Sequence, residues 1–181
     1  MKNIPFLIFL LTFSMGYSQS LPIDFEASIT TADFIDFDGG TASVIDNPQS
    51  SGINTSAKVA QIVRDGGAVW AGSKIDLAAN LDFSTMNSIS MKVFTTAPIG
   101  TVVKFKLEGN GQTERDALTT VSNEWETLTW DFTGEPKDFY SLVFMFDFGN
   151  VGDGSINSTF LFDDVEQLFG GTQLDLPVDF E

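Results

Sequence analysis

The sequence predicts an all-β domain built from two packed antiparallel sheets, and three observations carry that prediction. Several segments alternate apolar and polar residues with a strict period of two, as half-buried strands do. Clusters of glycine, asparagine and proline interrupt them at short, even spacing. No segment repeats its apolar residues at the helical period over a useful length.

Taken in order, a first strand is expected over 21–26 and two more over 57–64 and 68–75. Asp65-Gly66-Gly67 between the latter two reads as a hairpin turn, because glycine adopts positive φ at little cost. Ser88-Ile89-Ser90-Met91-Lys92-Val93-Phe94 and Val103-Lys104-Phe105-Lys106-Leu107-Glu108 alternate cleanly. In the strand over 126–132, Leu128, Trp130 and Phe132 fall on the core side. The run over 142–148 is nearly all apolar, which suits a central strand covered on both faces, with Asp147 pointing away from Phe146. A last strand is expected over 160–166. With 18 Phe and 3 Trp, the chain has ample material for a core.

The flanks suggest export and repetition. Met1-Lys2-Asn3 starts positive, an apolar run follows, and Gly16-Tyr17-Ser18 offers small residues for cleavage, so residues 1–18 read as a signal peptide. The run is too short for a membrane anchor. Leu21-Pro22-Ile23-Asp24-Phe25-Glu26 returns as Leu176-Pro177-Val178-Asp179-Phe180-Glu181, one domain length later. The expected organisation is a module over 19–168, a linker over 169–175 and, over 176–181, the first strand of a tandem copy cut short.

Composition excludes several functions. The formal charge is −16, and losing Lys2 with the leader makes it more negative still. Nucleic acid and anionic membrane surfaces reward the opposite sign. Neither Cys nor His occurs, which removes disulfides, thiol nucleophiles, the usual general base and the commonest zinc ligands.

Four phrases resemble a known module: Leu-Pro-x-Asp-Phe-Glu at the start, Asp46-Asn47-Pro48 with Ser51-Gly52-Ile53-Asn54-Thr55-Ser56, Trp125 with Asp131-Phe132, and Phe162-Asp163-Asp164-Val165. Together they are similar to the jelly-roll, galactose-binding-like carbohydrate-binding modules of secreted Bacteroidetes proteins, which often accompany glycoside hydrolases or polysaccharide lyases. The resemblance covers 21–168 and implies a jelly roll that binds polysaccharide without cleaving it.

It also implies a place for calcium, which seeks several carboxylate and carbonyl oxygens. In such jelly rolls the first and last strands lie together, bringing Glu26 toward Asp163 or Asp164. The loop over 33–40, with Asp36 and Asp38, would complete a structural Ca2+ site. Asp163 shares a parity with Leu161 and Val165, so a semi-buried carboxylate needing a partner is expected. The alternative is that Glu26 and Asp163 pair with Lys58 or with backbone amides.

The expected glycan platform rests on parity. Lys92, Lys104, Lys106 and Glu108 project opposite the core residues of their strands, as do Asp131 and Asp147. If those strands are neighbours, they form one polar concave face. Trp125 lies on the Asp131 side and is the expected ring for stacking on a pyranose, with Trp70 and Tyr140 at the rim. Asn110, Gln112 and Arg115 would close one side. The plainer alternative makes Trp125 a filler of the sandwich edge and the lysines a solvated sheet face. Paired acids can cleave glycosides, but none stands in a setting that separates acid from nucleophile. A non-catalytic, exported polysaccharide binder with a tandem copy is the expectation; a spacer with no ligand is its rival.

Overall fold

A computed structural model describes residues 20–169, apart from 28 and 137. Eleven strands dominate: β1 Phe34–Phe37, β2 Gly40–Asp46, β3 Lys58–Gly66, β4 Gly72–Asp76, β5 Ser88–Thr95, β6 Val102–Gly109, β7 Gln112–Leu118, β8 Trp125–Asp131, β9 Phe139–Phe146, β10 Gly152–Asp153 and β11 Thr159–Leu168. The only helical pieces among the described residues are two single 3-10 turns.

One sheet has five strands in the order β1-β4-β9-β6-β7. The other runs β10-β3-β11-β5-β8, with β2 also paired to β3. All pairings are antiparallel. The expected sandwich of two sheets is therefore the fold.

Aromatic side chains from both inner faces fill the space between the sheets. Phe105 meets Trp130 at 5.2 Å between ring centres, Phe144 meets Phe162 at 4.7 Å, and Phe146 stacks on Phe160 at 4.9 Å. Each ring so buried contributes roughly 1.5–3 kcal/mol through area removed from water. A second, smaller cluster of Val59, Phe94, Trp125 and Leu161, with Ile45 against it, lies outside the main core.

Several local expectations change. The hairpin turn expected at Asp65-Gly66-Gly67 is not formed: Asp65 and Gly66 end β3 paired with Asp153 and Gly152, the chain bends at Gly67, and β3 and β4 lie in different sheets. The strand expected over 68–75 begins only at Gly72, leaving Trp70 in the crossing loop. Over 21–26 the contact is a single bridge, Ile23 to Val165, although it does set the N-terminal segment beside the last strand. The segment expected to be a loop over 33–40 contains β1 and the turn into β2. β7 begins at Gln112 and includes Arg115, so those two residues belong to an edge strand. The leader and the C-terminal copy of the six-residue phrase lie outside the described residues.

Candidate functional site

The outer face of the five-stranded sheet carries a grid of side chains fixed by strand register. Ile35 opposes Lys74, Lys74 opposes Val143, Val143 opposes Lys106, and Lys106 opposes Glu114. A neighbouring row runs Asp76, Ser141, Glu108, Gln112. Met145, Lys104 and Asp116 form a third row. Alternation along each strand places these residues away from the core, and the antiparallel register aligns them across it.

At one end of this grid the chain builds walls. Ile35, Phe37, Trp70, Val143, Met145 and Phe148 enclose a groove of about 480 Å3 together with Lys74, Lys106, Glu108 and Glu114. Trp70 is 51% exposed, whereas Trp130 is 1% and Trp125 8% exposed. Its Nε1 donates to Asp38 Oδ2 at 2.6 Å, which fixes the ring's orientation. Gly72 keeps the floor close. A Cβ there would stand 2.2 Å from the Phe144 carbonyl oxygen and 3.0 Å from the Phe37 ring.

Every lysine on this face is neutralised. Glu108 takes Lys106 at 2.8 Å and Lys74 at 3.4 Å. Lys104 holds Glu114 and Asp116, each at 2.9 Å, and its Nζ stands 4.4 Å from the centre of the Phe148 ring. The Lys106 ammonium, with Lys74 behind it, keeps the Glu108 carboxyl below its ordinary value against the opposing effect of burial. Burial works against the Lys104 charge, but Asp116 and Glu114 outweigh it and raise the ammonium above its ordinary value. The groove therefore presents an indole, an apolar floor and fixed hydrogen-bonding charges with no local excess of either sign among its paired groups.

Of the expected ligand residues, Lys104, Lys106 and Glu108 share this face. The others do not. Trp125 belongs to β8 in the six-stranded sheet, where its ring packs on Phe94 at 5.7 Å and its Nε1 donates to the Gln49 carbonyl at 2.7 Å. It seals a covered surface and cannot stack on a sugar there. Lys92, on β5 of the same sheet, pairs with Asp164 at 2.5 Å. The Asp131 carboxylate accepts the Thr133 N–H and hydroxyl, which hold it below its ordinary value. Arg115 clasps the sandwich edge, donating to the Asp131 carbonyl and to Glu135, with its guanidinium 5.4 Å from the centre of the Phe132 ring. Asp147 stands in the turn after β9 at positive φ, 3.6 Å from the Arg64 guanidinium. Parity orders residues within a strand but does not say which sheet the strand joins. The Pro98-Ile99-Gly100 connection separates β5 from β6, so Lys92, Trp125 and Asp131 lie on the other sheet, whereas Arg115 sits across from the core residue Phe105 and Asp147 lies beyond the end of β9. Lys74, Glu114, Ile35, Phe37 and Phe148 escaped the sequence reading. Lys74 alone carried a signal, in the alternation of Ser73-Lys74-Ile75-Asp76.

The four expected calcium ligands are not gathered. Asp36 accepts the Ala42 N–H, and Asp38 holds Trp70, far from the others in role and element. No group of three or more acids suited to a metal occurs among the described residues. Glu26 accepts the Ala57 and Lys58 N–H groups, as the backbone-amide alternative anticipated. Asp163 is fully buried, accepts the Asn54 amide at 3.0 Å and the Asp164 N–H at 2.9 Å, and burial pushes its carboxyl up to about 6. Both acids thus attach to one segment, residues 54–58. A bulge with Asp164 at positive φ shifts the register after Asp163, which returns Val165 to the core and leaves Asp163 on the outer side.

Three solved structures share this architecture. The family 11 carbohydrate-binding module of the cellulosomal cellulase Lic26A-Cel5E of Clostridium thermocellum is 16% identical over 84% of this chain and 95% of its own, with a TM-score of 0.57. This chain shares its β-sandwich fold with that module. A family 11 module from the same organism, in complex with a β-1,3-1,4-mixed-linked tetrasaccharide, is 13% identical, covers 82% of this chain and 96% of its own, and gives 0.55. The CBM22-1 xylan-binding domain of Paenibacillus barcinonensis Xyn10C is 16% identical over 84% and 95%, at 0.51. No protein-family model matches the chain, and no curated protein does.

Proposed function

We propose that this domain is a non-catalytic module that binds a neutral polysaccharide along the outer face of the five-stranded sheet. The observation that carries the reading is Trp70: a half-exposed indole, oriented by Asp38, above an apolar floor and beside ion-paired lysines and glutamates. An aromatic ring offers its face to the apolar side of a pyranose, while carboxylate oxygens and ammonium groups bond the hydroxyls around it. Neutrality of the ligand follows from the ion pairs. A uronate would have to displace Glu108, Glu114 or Asp116 from their lysines, in a chain of formal charge −16. The likeness to carbohydrate-binding modules, one of them holding a mixed-linked tetrasaccharide and another xylan-binding, supports the same reading.

Export by the 1–18 leader and the repeated Leu-Pro-x-Asp-Phe-Glu phrase fit an accessory role on a secreted or cell-surface protein. A tandem copy would raise the avidity of individually weak sites. Titration calorimetry against mixed-linkage β-glucan, laminarin, xylan, mannan, alginate and pectin tests the proposal. Binding to a neutral polymer with quenching of Trp70 fluorescence is expected; silence across the panel would return the domain to the role of a spacer.

We also propose a structural calcium ion for the Glu26 and Asp163 end alone, where a buried carboxylate and a second acid both attach to the segment over 54–58. Those two side chains would hold it, and Asp36 and Asp38 would not. A chelator should lower the melting temperature by several degrees, as loss of a ligand of the native state does. An unchanged melt rejects the ion.

A further inference from the structure

The two loops that wall the groove are tied to one buried cation. Arg64 lies on β3, in the opposite sheet, and is fully buried. Its side chain points between the layers at the end of the sandwich and reaches the loops that enter β4 and leave β9. Nε donates to the Ala71 carbonyl at 3.2 Å. Nη1 donates to the Asp147 carbonyl at 2.9 Å. Nη2 reaches the carbonyls of Ala68 at 3.3 Å, Val69 at 3.2 Å and Asn150 at 2.7 Å. The Asp147 carboxylate stands 3.6 Å from Nη1 and supplies the countercharge.

The five carbonyls bracket the groove's aromatic wall. Ala68, Val69 and Ala71 flank Trp70; Asp147 and Asn150 flank Phe148. The two loops are also stitched together, since Gly149 N–H donates to the Val69 carbonyl at 3.0 Å. The β1–β2 turn joins them: Ala68 N–H donates to the Asp38 carbonyl at 2.8 Å, and Asp38 in turn orients the indole. Contact there is so close that a Cβ on Gly67, which has φ of 73°, would lie 1.8 Å from the Asp38 carbonyl oxygen.

Only a guanidinium can satisfy this arrangement. It offers five N–H donors in a rigid planar fork, whereas a lysine ammonium offers three from one point. The Ala68, Val69 and Asp147 carbonyls also accept the N–H groups of Ala71, Gly149 and Asn150, so among the hydrogen bonds described it is the Ala71 and Asn150 carbonyls that depend on the guanidinium. A buried carbonyl left without a donor costs free energy, and the loops would rearrange to find water. We infer that Arg64 is the positioning residue of the glycan groove, holding Trp70 and Phe148 at the spacing at which a sugar ring is received. This rests on the groove being the binding face, but its central claim concerns the loops and is testable without any glycan.

The three indole N–H groups provide the reading, because each has a different acceptor: Asp38 for Trp70, Gln49 for Trp125 and Val103 for Trp130. In Arg64→Lys, the Trp70 indole resonance should shift and lose at least about tenfold of its exchange protection, while those of Trp125 and Trp130 stay in place. Affinity for mixed-linkage β-glucan, or for whichever panel polymer binds the natural chain, should fall at least about tenfold. A folded Arg64→Lys protein with an unmoved Trp70 resonance overturns the inference, whatever its affinity. A natural chain that binds no polymer, with Trp70 still shifting in the variant, instead rejects the glycan reading and leaves the positioning role standing. Should the variant fail to fold, exchange in the natural chain at low urea decides. Trp70 indole and Arg64 Nε–H opening together, ahead of Trp130, supports the role; Trp70 opening independently of Arg64 refutes it.

Discussion

The outer faces of the two sheets differ in what covers them, and a tryptophan marks each. On the six-stranded sheet, Val59, Phe94, Trp125 and Leu161 are buried together, and the segment over 47–57 supplies the Gln49 carbonyl to the Trp125 indole and the Asn54 amide to Asp163. On the five-stranded sheet nothing among the described residues lies over Trp70, whose N–H is held by a side chain at its edge. Indole chemistry is the same in both places. What distinguishes a packing residue from a candidate ligand contact is whether the chain spends a loop on it.

The sharpest way to break that comparison is Trp125→Ala. Removing a buried indole from the satellite cluster should cost about 3 kcal/mol. That corresponds to a fall in melting temperature of roughly 6–12 °C for a domain of this size, measured by calorimetry. Glycan affinity should stay within twofold. If Trp125→Ala instead left the melt unchanged and abolished binding, the two faces would have been assigned the wrong way round.

Trp70→Ala is the mirror experiment. Loss of the stacking ring should weaken polysaccharide binding about tenfold, near 1.4 kcal/mol, with little change in melting temperature. Affinity gel electrophoresis beside a thermal melt reads both quantities. A variant that melts early but binds normally would make Trp70 a structural residue.

Charge offers a finer contrast. Glu108→Gln frees Lys74 and Lys106 from their shared carboxylate. Binding of the neutral polymer should drop only a few-fold, while weak, salt-sensitive binding of pectate should emerge. Pectate binding by the unaltered chain would show that the ion pairs do not exclude acidic glycans.

The smallest expected effect is that of pH. Glu108 is depressed in the folded state, so its contribution is complete above the ordinary glutamate value of 4.5 and fades as pH falls through its lower folded value. Lys104 is raised, so its contribution is complete below the ordinary lysine value of 10.5 and fades as pH rises through its higher folded value. Because Glu108 and Lys104 both keep their charge between these limits, affinity should be flat there. A midpoint near neutrality in the titration would mean that some other group governs the groove.

Much of the fold was legible because alternation is a local property. Phe105, Leu107, Leu128 and Trp130 face the core as their parity requires, and Lys104, Lys106 and Glu108 face outward together. The failures lie in what parity does not fix. Lys92 and Lys104 have the same local pattern, yet β5 and β6 lie in opposite sheets. Phe37 and Phe148 read as ordinary apolar residues and become groove walls through the turn and loop that carry them.

By itself, the sequence determined the all-β class, the core side of the cleanly alternating strands, and the exclusion of thiol and imidazole chemistry, since these follow from side-chain type and a period of two. Tertiary structure alone decided which strands are neighbours, which tryptophan is roofed, and that Arg64 reaches from one sheet to the loops of the other. Those outcomes depend on where distant segments meet, as Arg64 meets Asn150 86 residues away and Asn54 meets Asp163 109 residues away, and no local pattern encodes such a meeting.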